Sequence, residues 1–313
     1  MNLVAKRYAK GDEFKILQLF EEAFGKKMTL EYWKWRYSNK EQFINLMWDK
    51  TNLAGHYAVF PIAIAYNEKY IDTGFSMTTM TSNSYKKMGI FTKLANSLYS
   101  DTSDIIKLIW GFPNNNSLHG FIKYLDWKYI YDINMLTINL DIIKVKNKNM
   151  KILNVNKFSS DYNELFTNVM KKYKVIVARN ENYLNWRFVE NPVNTYHILE
   201  YREGEVLRGY CVYKIYKNNE VHYGDIVDIL STDKNVFIEL IEECILQIQN
   251  KKAQHANIWM VDDDLKRFLY DIGFEDSGNM THLGAKNNCN DDSLNNIFNI
   301  ENWYITMADS DVF

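Results

Sequence analysis

The stretch with the clearest chemical capacity is Tyr85-Lys86-Lys87-Met88-Gly89-Ile90-Phe91-Thr92-Lys93-Leu94. A strand-like run ends before it near Thr81, and apolar residues at helical spacing, Phe91, Leu94, Ala95 and Leu98, follow it. A turn that feeds a helix leaves the first amide hydrogens without intrahelical partners, and with the helix dipole they form an anion site. Gly89 lets the backbone approach a pyrophosphate closely, and Lys86 and Lys87 add positive charge. Plain connecting structure with two solvated lysines is the alternative reading of the same residues.

Other side chains have the types that chemistry needs. His56, between Gly55 and Tyr57 in a strand-like run, is a candidate base or a hydrogen-bonded sheet histidine. Asp225 and Asp228 lie in Gly224-Asp225-Ile226-Val227-Asp228-Ile229-Leu230. Carboxylates in so apolar a strand are costly unless paired or facing a cleft, so they are candidates for ligand binding. Trp35 and Arg36, with Tyr37, could stack on and clamp a ligand carrying a ring or a phosphate. Their echo, Trp186-Arg187-Phe188, favours a packing role in both places.

The elements that must hold these residues occur twice. Tyr32, Trp35, Arg36 and Tyr37 recur as Tyr183, Trp186, Arg187 and Phe188, an offset of 151 (183 − 32). Gly74 answers Gly224 at 150, and Ile109-Trp110 answers Ile258-Trp259 at 149. Leu118, Phe121, Ile122, Leu125 and Trp127 answer Leu265, Phe268, Leu269, Ile272 and Phe274 at 147. Ordered matches whose offset drifts so little point to a duplication, each copy a comfortable domain size. In the first copy the pattern predicts helices over 14–24 and 32–37 and strands over 53–65 and 70–81. A helix after Gly89, a strand over 105–110, a helix capped by Ser117 and a strand over 127–138 follow. In the second it predicts strands over 207–215, 221–230 and 255–261, helices over 237–248 and 262–272, and a strand from Phe274. The lysine- and asparagine-rich run 144–151 sets a boundary, giving domains 1–148 and 149–313.

Bulk properties narrow the function. With 37 basic against 39 acidic side chains, net −2, there is no basic excess to meet a nucleic acid. Cys211, Cys244 and Cys289 are too few and scattered for a disulfide framework or a metal site. Charges at Lys6, Arg7, Lys10, Asp12 and Glu13 argue against a secretion signal, and no run approaches the roughly 18 apolar residues that span a bilayer. The expectation is a cytoplasmic protein without a metal or a membrane partner.

Taken in order, these residues resemble the GNAT superfamily of acetyl-coenzyme A-dependent N-acetyltransferases. Its signature is Arg/Gln, two residues, Gly, one residue, Gly/Ala at a strand-to-helix turn. Lys86, Gly89 and Phe91 occupy those places, the first and last departing from the strict pattern. The later Gly111-Phe112-Pro113-Asn114-Asn115-Asn116-Ser117 run and the Leu125-Asp126-Trp127-Lys128 turn look like a two-lobed subgroup, as does Tyr270-Asp271-Ile272-Gly273-Phe274. The resemblance covers most of residues 1–285. It implies an α/β fold of two tandem GNAT-like lobes, each a twisted mixed sheet flanked by helices.

For the site, the resemblance implies that backbone groups of Thr79, Met80 and Thr81 pair with pantetheine. Amides of Met88, Gly89, Ile90, Phe91 and Thr92 would hold the pyrophosphate beside Lys86 and Lys87. Asn115 or Asn116 would touch the cofactor near its thiol, with Asn114 beside the acceptor. A backbone N–H at the splayed strand end would polarise the thioester carbonyl, an effect of roughly 3 to 4 kcal/mol. His119, one turn into the next helix, joins His56 as a catalytic candidate, while the place of the superfamily's acidic tyrosine falls on Ile122 or Lys123, with Tyr124 off-register.

The matching turn of the second copy, Ile229-Leu230-Ser231-Thr232-Asp233-Lys234-Asn235, has no glycine and puts Asp233 where a phosphate would sit. That lobe is expected not to bind coenzyme A and to wall the acceptor pocket. The two-lobed subgroup implies acetylation of a small amine, with nucleotide-linked amino sugars of surface polysaccharides favoured. Aminoacyl or thiol-forming transfer by tandem lobes, and a noncatalytic coenzyme A-binding module, are the alternatives.

Overall fold

The structure, a computed structural model, describes residues 2–37, 43–142 and 151–313. The boundary at 148 and most of the run 144–151 lie outside the described residues. Strand β1 (Leu3–Arg7) leads into α1 (Glu13–Phe24), whose Ile16 and Leu19 are buried and whose end is closed by Gly25 in the left-handed region. The short aromatic helix α2 (Leu30–Tyr37) follows as expected. Then come β2 (Phe43–Asp49), β3 (Asn52–Tyr66), β4 (Lys69–Thr81), α3 (Ile90–Thr102), β5 (Leu108–Gly111), α4 (Leu118–Leu125) and β6 (Lys128–Asn139).

The rest of the chain repeats the plan: β7 (Ile152–Val155), α5 (Asp161–Val169), β8 (Val175–Val177), α6 (Glu181–Leu184) with a π-helical turn at Asn185–Val189, β9 (His197–Glu203), β10 (Val206–Asn218), β11 (Val221–Ser231), α7 (Lys234–Asn250), β12 (His255–Trp259), α8 (Asp263–Asp271), β13 (Glu275–Asn287) and β14 (Trp303–Tyr304). The apolar stripe Phe237, Leu240, Ile241, Cys244, Ile248 is buried throughout.

The chain folds into two compact units that interleave in sequence, in place of a single cut. The first comprises Met1–Ile64, Ile71–Tyr131 and His282–Phe298; the second comprises Ala65–Tyr70, Asp132–Thr281 and Asn299–Phe313. The first sheet runs β1-β2-β3-β4-β5 and ends on the last part of β13; the second runs β7-β9-β10-β11-β12 and ends on β6. In the first, β4 and β5 are parallel and β5 and β13 antiparallel. In the second, β11 and β12 are parallel and β12 and β6 antiparallel. The duplication is thus visible strand by strand, with the closing strand of each sheet drawn from the other half of the sequence.

Candidate acyl-donor site

Strand β4 pairs β5 only over Thr73↔Leu108, Gly74↔Ile109 and Phe75↔Trp110, yet it continues to Thr81. β5 stops at Gly111, and its far edge is taken by Gly284 of β13. Among the described residues, the β5-facing edge of β4 therefore has no strand partner beyond Phe75. Thr79, Met80 and Thr81 lie on this open edge, with the Met80 side chain anchored in the interior. Unpaired backbone groups at a strand edge are a template for an extended partner.

The edge is shaped at Thr78, whose φ of +50° is an outlier for a β-branched residue. Such strain costs on the order of 1–3 kcal/mol and needs neighbours to hold it. Tyr37 donates its hydroxyl to Thr78 Oγ1 at 2.9 Å, and His56 Nδ1 lies 2.8 Å from the Thr78 carbonyl. A carbonyl only accepts, so Nδ1 carries the proton and Nε2 presents a lone pair, buried and without a hydrogen-bond partner. Burial pushes the His56 imidazole down to about 4, only partly offset by the Thr78 bond. A group with that proton affinity stays neutral near pH 7 and makes a poor general base, contrary to its expected role. Its geometry suits holding the backbone at Thr78.

After Thr81 the chain makes a short 3-10 turn at Asn83–Tyr85, and Lys87 and Gly89 take φ of +65° and +70°. Gly89 is the N-cap of α3 and offers no side-chain cap; the first helical bond runs from Lys93 N–H to Gly89 O at 3.0 Å. The amides of Ile90, Phe91 and Thr92 precede that bond and have no intrahelical acceptor. Lys86, Lys87, Met88 and Gly89 are exposed around them. The bend is fastened from below: Asn83 N–H donates to Glu22 Oε1 at 2.7 Å, and the Tyr85 hydroxyl to Asp49 Oδ2 at 3.2 Å. A cleft of about 290 Å³ opens beside it, between α1 and Ser82, Ser84 and Tyr85. Phe91, where the signature has a small residue, packs on Phe121 with centroids 5.0 Å apart. Gly120 makes the room, since a Cβ there would stand 3.2 Å from the Phe91 ring.

At the mouth of α4, Asn114 takes the capping role expected of Ser117: its Oδ1 accepts from the Asn116 and Ser117 amides at 3.0 and 3.1 Å. Asparagine accepts amides in this way as readily as serine. Asn114 thus shapes the turn, while Asn115 and Asn116 are exposed on it. Asn115 Oδ1 lies 2.5 Å from Nε2 of His282, a buried histidine on β13. Sequence reasoning missed His282, because β13 was assigned wholly to the second copy. His119 is exposed and packs edge-on against Tyr124, itself exposed with Ile122. Helix α4 therefore brings neither His119 nor a buried tyrosine acid to the site.

The second unit uses its expected site residues differently. Asp228 is fully buried: Arg179 Nε donates to both its oxygens, the Thr306 hydroxyl to Oδ1 at 2.8 Å and the Tyr210 hydroxyl to Oδ2 at 2.7 Å. Arg179 also meets both oxygens of Asp309 at 3.0 and 2.9 Å. Asp228 thus binds the chain's own last segment and not an acceptor. Arg187 serves the same end, donating to the carbonyls of Ala308, Ser310 and Phe313. Its echo Arg36 is buried over the rings of Tyr32 and Trp35, consistent with packing for the pair Trp35 and Arg36. Asp225 differs. Asn257 Nδ2 donates to it at 3.0 Å, Lys214 Nζ stands 3.9 Å away, and burial raises the carboxyl above its ordinary value. Half-buried stacked rings, Tyr216 on Tyr223 and Tyr223 on His255, flank it.

Comparison with known proteins agrees with this geometry. Residues 5–130 match the family model described as Acetyltransferase (GNAT) domain. No curated protein matches the chain in sequence. A GCN5-related N-acetyltransferase from Anabaena variabilis superposes with TM-score 0.71 at 12% identity, over 92% of this chain and 73% of that one. A probable N-acyltransferase of unknown function from Enterococcus faecalis gives 0.72 at 14%, over 92% and 73%. Saccharomyces cerevisiae N-myristoyltransferase with bound myristoyl-CoA gives 0.68 at 11%, over 91% and 82%. At these identities the likeness establishes the mixed α/β fold, which in the yeast enzyme holds myristoyl-CoA. Among the described residues, no helix is long and apolar enough to cross a membrane, and no His, Cys, Asp and Glu cluster could hold a metal ion. The open edge of β4 and the uncapped start of α3 both lie inside the segment, residues 5–130, that matches the GNAT acetyltransferase domain, and this match supports an N-acyltransferase enzyme.

Proposed function

We propose that this enzyme transfers the acetyl group of acetyl-coenzyme A to the amine of a small acceptor by direct attack. The observation that carries the reading is the open edge of β4 after Phe75 leading into a helix start that has no cap of its own. Thr79, Met80 and Thr81 would run beside the pantetheine, and the amides from Met88 to Thr92 would hold the pyrophosphate, with Lys86 and Lys87 adding charge. Asn115, braced by His282, and Asn116 would stand near the thiol. As the amine attacks, the N–C bond forms, the C–S bond breaks, and a proton leaves nitrogen as the thiolate gains one. A backbone N–H following Thr78 stabilises the carbonyl oxygen in that step.

For the acceptor we favour a nucleotide-linked amino sugar, in a cytoplasmic setting where the donor is made. This finer choice rests on the likeness of the Gly111–Ser117 run and the Leu125–Lys128 turn to the two-lobed subgroup. Asp225, with a raised carboxyl among stacked rings, is the side chain we assign to the acceptor. A second reading, a noncatalytic coenzyme A-binding module, is favoured by the low proton affinity of His56 and the exposure of His119. Release of free thiol from acetyl- and longer acyl-coenzyme A, measured across amines and nucleotide-linked amino sugars, separates the two. Turnover on an amino sugar that falls in Asp225→Asn supports the first; tight coenzyme A binding with no thiol released on any amine supports the second.

A further inference from the structure

A cleft of about 310 Å³ opens in the second unit between the end of β7, the π-helical turn and the loop entering β9, at the small end of ligand-pocket sizes. Its polar lining is the carboxamides of Asn154, Asn156, Asn191 and Asn194 and the hydroxyls of Thr195 and Tyr196. Among the described residues, no Asp, Glu, Lys or Arg lines it. His197 is the one titratable imidazole in the lining, and burial, helped by Lys251, holds its proton affinity below the ordinary value, so it stays neutral. A phosphate, carboxylate or ammonium would lose its water here with no opposite charge in the lining to meet it. Carboxamides donate and accept at once, matching hydroxyl groups that do the same. Val155 and Val189 give the lining an apolar part for C–H surface.

The cleft is built in advance. Asn191 Oδ1 accepts from the amides of Val193 and Asn194 at 3.0 and 2.9 Å, which fixes the loop. Arg187 Nη1 donates to the Tyr196 hydroxyl at 3.2 Å, and that ring meets Phe188 edge-on at 5.1 Å. Asn185 exchanges hydrogen bonds with the backbone of Phe158 and so holds the segment that follows β7. One donor is left over: Nδ2 of Asn191 is buried without a partner, a state native structures rarely leave unexplained.

We infer that this cleft binds a neutral polyhydroxylated ring, a pyranose sugar, through its asparagine carboxamides, separately from the acyl-donor site. The test uses the full chain with a methyl hexopyranoside, N-acetylglucosamine and glucose 6-phosphate, followed by saturation-transfer NMR and calorimetry. The neutral rings should bind, with the phosphate at least about tenfold weaker. Asn191→Asp keeps an oxygen for the two loop amides and removes the spare donor, so it should weaken the neutral rings by about tenfold or more. The double variant N154A/N194A should do likewise, with coenzyme A affinity unchanged in both, and it decides the matter if the aspartate variant does not fold. Absence of neutral-sugar binding to the native chain, tighter binding of the phosphate, or native affinity in the double variant would overturn the assignment.

Discussion

The turn from β4 into α3 and the turn from β11 into α7 are copies of one device used in opposite ways. At the first, Gly89 caps the helix with backbone alone and leaves its opening amides without a side-chain cap. At the second, Asp233 supplies the anion itself: Oδ1 accepts from the Asn235 and Val236 amides at 3.0 and 3.1 Å, and Oδ2 from Thr232 and Arg208. The same contrast recurs at larger scale. Among the described residues, the first unit leaves a strand edge unpaired and a histidine lone pair unmet, whereas the second surrounds Asp228 with Arg179, Thr306 and Tyr210 and ties Arg179 to Asp309. In the first copy these backbone groups have no partner of their own among the described residues; in the second the chain itself supplies the partners.

The largest effect should come from undoing that self-filling. Arg179→Met removes the cation from two buried carboxylates and leaves Asp228 and Asp309 facing each other. Breaking a buried pair from one side costs about 3–5 kcal/mol, so chemical denaturation should show a loss of that order. A change under about 1 kcal/mol would mean the network does not close the second unit.

His56 gives the next effect, this time in the first unit. Its folded-state affinity for a proton is depressed to about 4 against an unfolded value of 6.5, so the stability it contributes is full above pH 6.5 and lost as pH falls toward 4. The shift corresponds to about 3 kcal/mol. His56→Asn keeps a donor for the Thr78 carbonyl and cannot titrate; urea midpoints for this variant should flatten across that window. Turnover should fall about 10- to 100-fold in His56→Leu, recover in His56→Asn, and show no step between pH 6 and 8 that the asparagine variant removes. Such a step would restore His56 as a base.

Gly89→Asp copies the second turn into the first. A Cβ at Gly89 meets nothing within 4 Å, and aspartate is among the residues that tolerate its positive φ, so the fold should survive. A like charge against the pyrophosphate should weaken coenzyme A by about 100-fold or more in calorimetry. Unchanged affinity would remove the donor site from this bend.

How much of this was legible beforehand follows from where each signal lives. The bend at Gly89, helices α1–α4, α7 and α8 and the paired strands β3–β4 and β10–β11 are local, and periodicity and glycine placement mark them. Strands β1, β2, β7, β8, β9 and β14 and helix α5 carry no expectation from the sequence. The exchanged ends of β6 and β13 escaped because a strand's own sequence does not say which sheet it completes. His282 was hidden for that reason, brought to Asn115 across 167 positions. Asp228 was noticed as an expensive carboxylate, but its partners sit 49 and 78 positions away at Arg179 and Thr306, beyond any local pattern. A costly charge in a strand announces that something meets it, not whether that something is a ligand or the chain itself.

The smallest effect sharpens the comparison most. Asp233→Ala should cost about 1 kcal/mol, the usual worth of a helix cap. Burial pushes the Asp233 carboxyl up, but the Val236 amide, the Thr232 hydroxyl and Arg208 outweigh it, and its proton affinity falls below the ordinary value of 3.8. Its contribution is therefore present above that value and fades as pH drops through the lower folded one, so the gap between native and variant should close in acid. The variant should not gain a second coenzyme A site, because residue 233 has φ −157°, extended backbone, where Gly89 has +70°. The two turns enter their helices from different directions, and freeing the amides does not turn them toward an approaching diphosphate. Calorimetry with coenzyme A should keep one site per chain. A second site appearing in Asp233→Ala would show that a single carboxylate, and not the path of the backbone, separates the two copies.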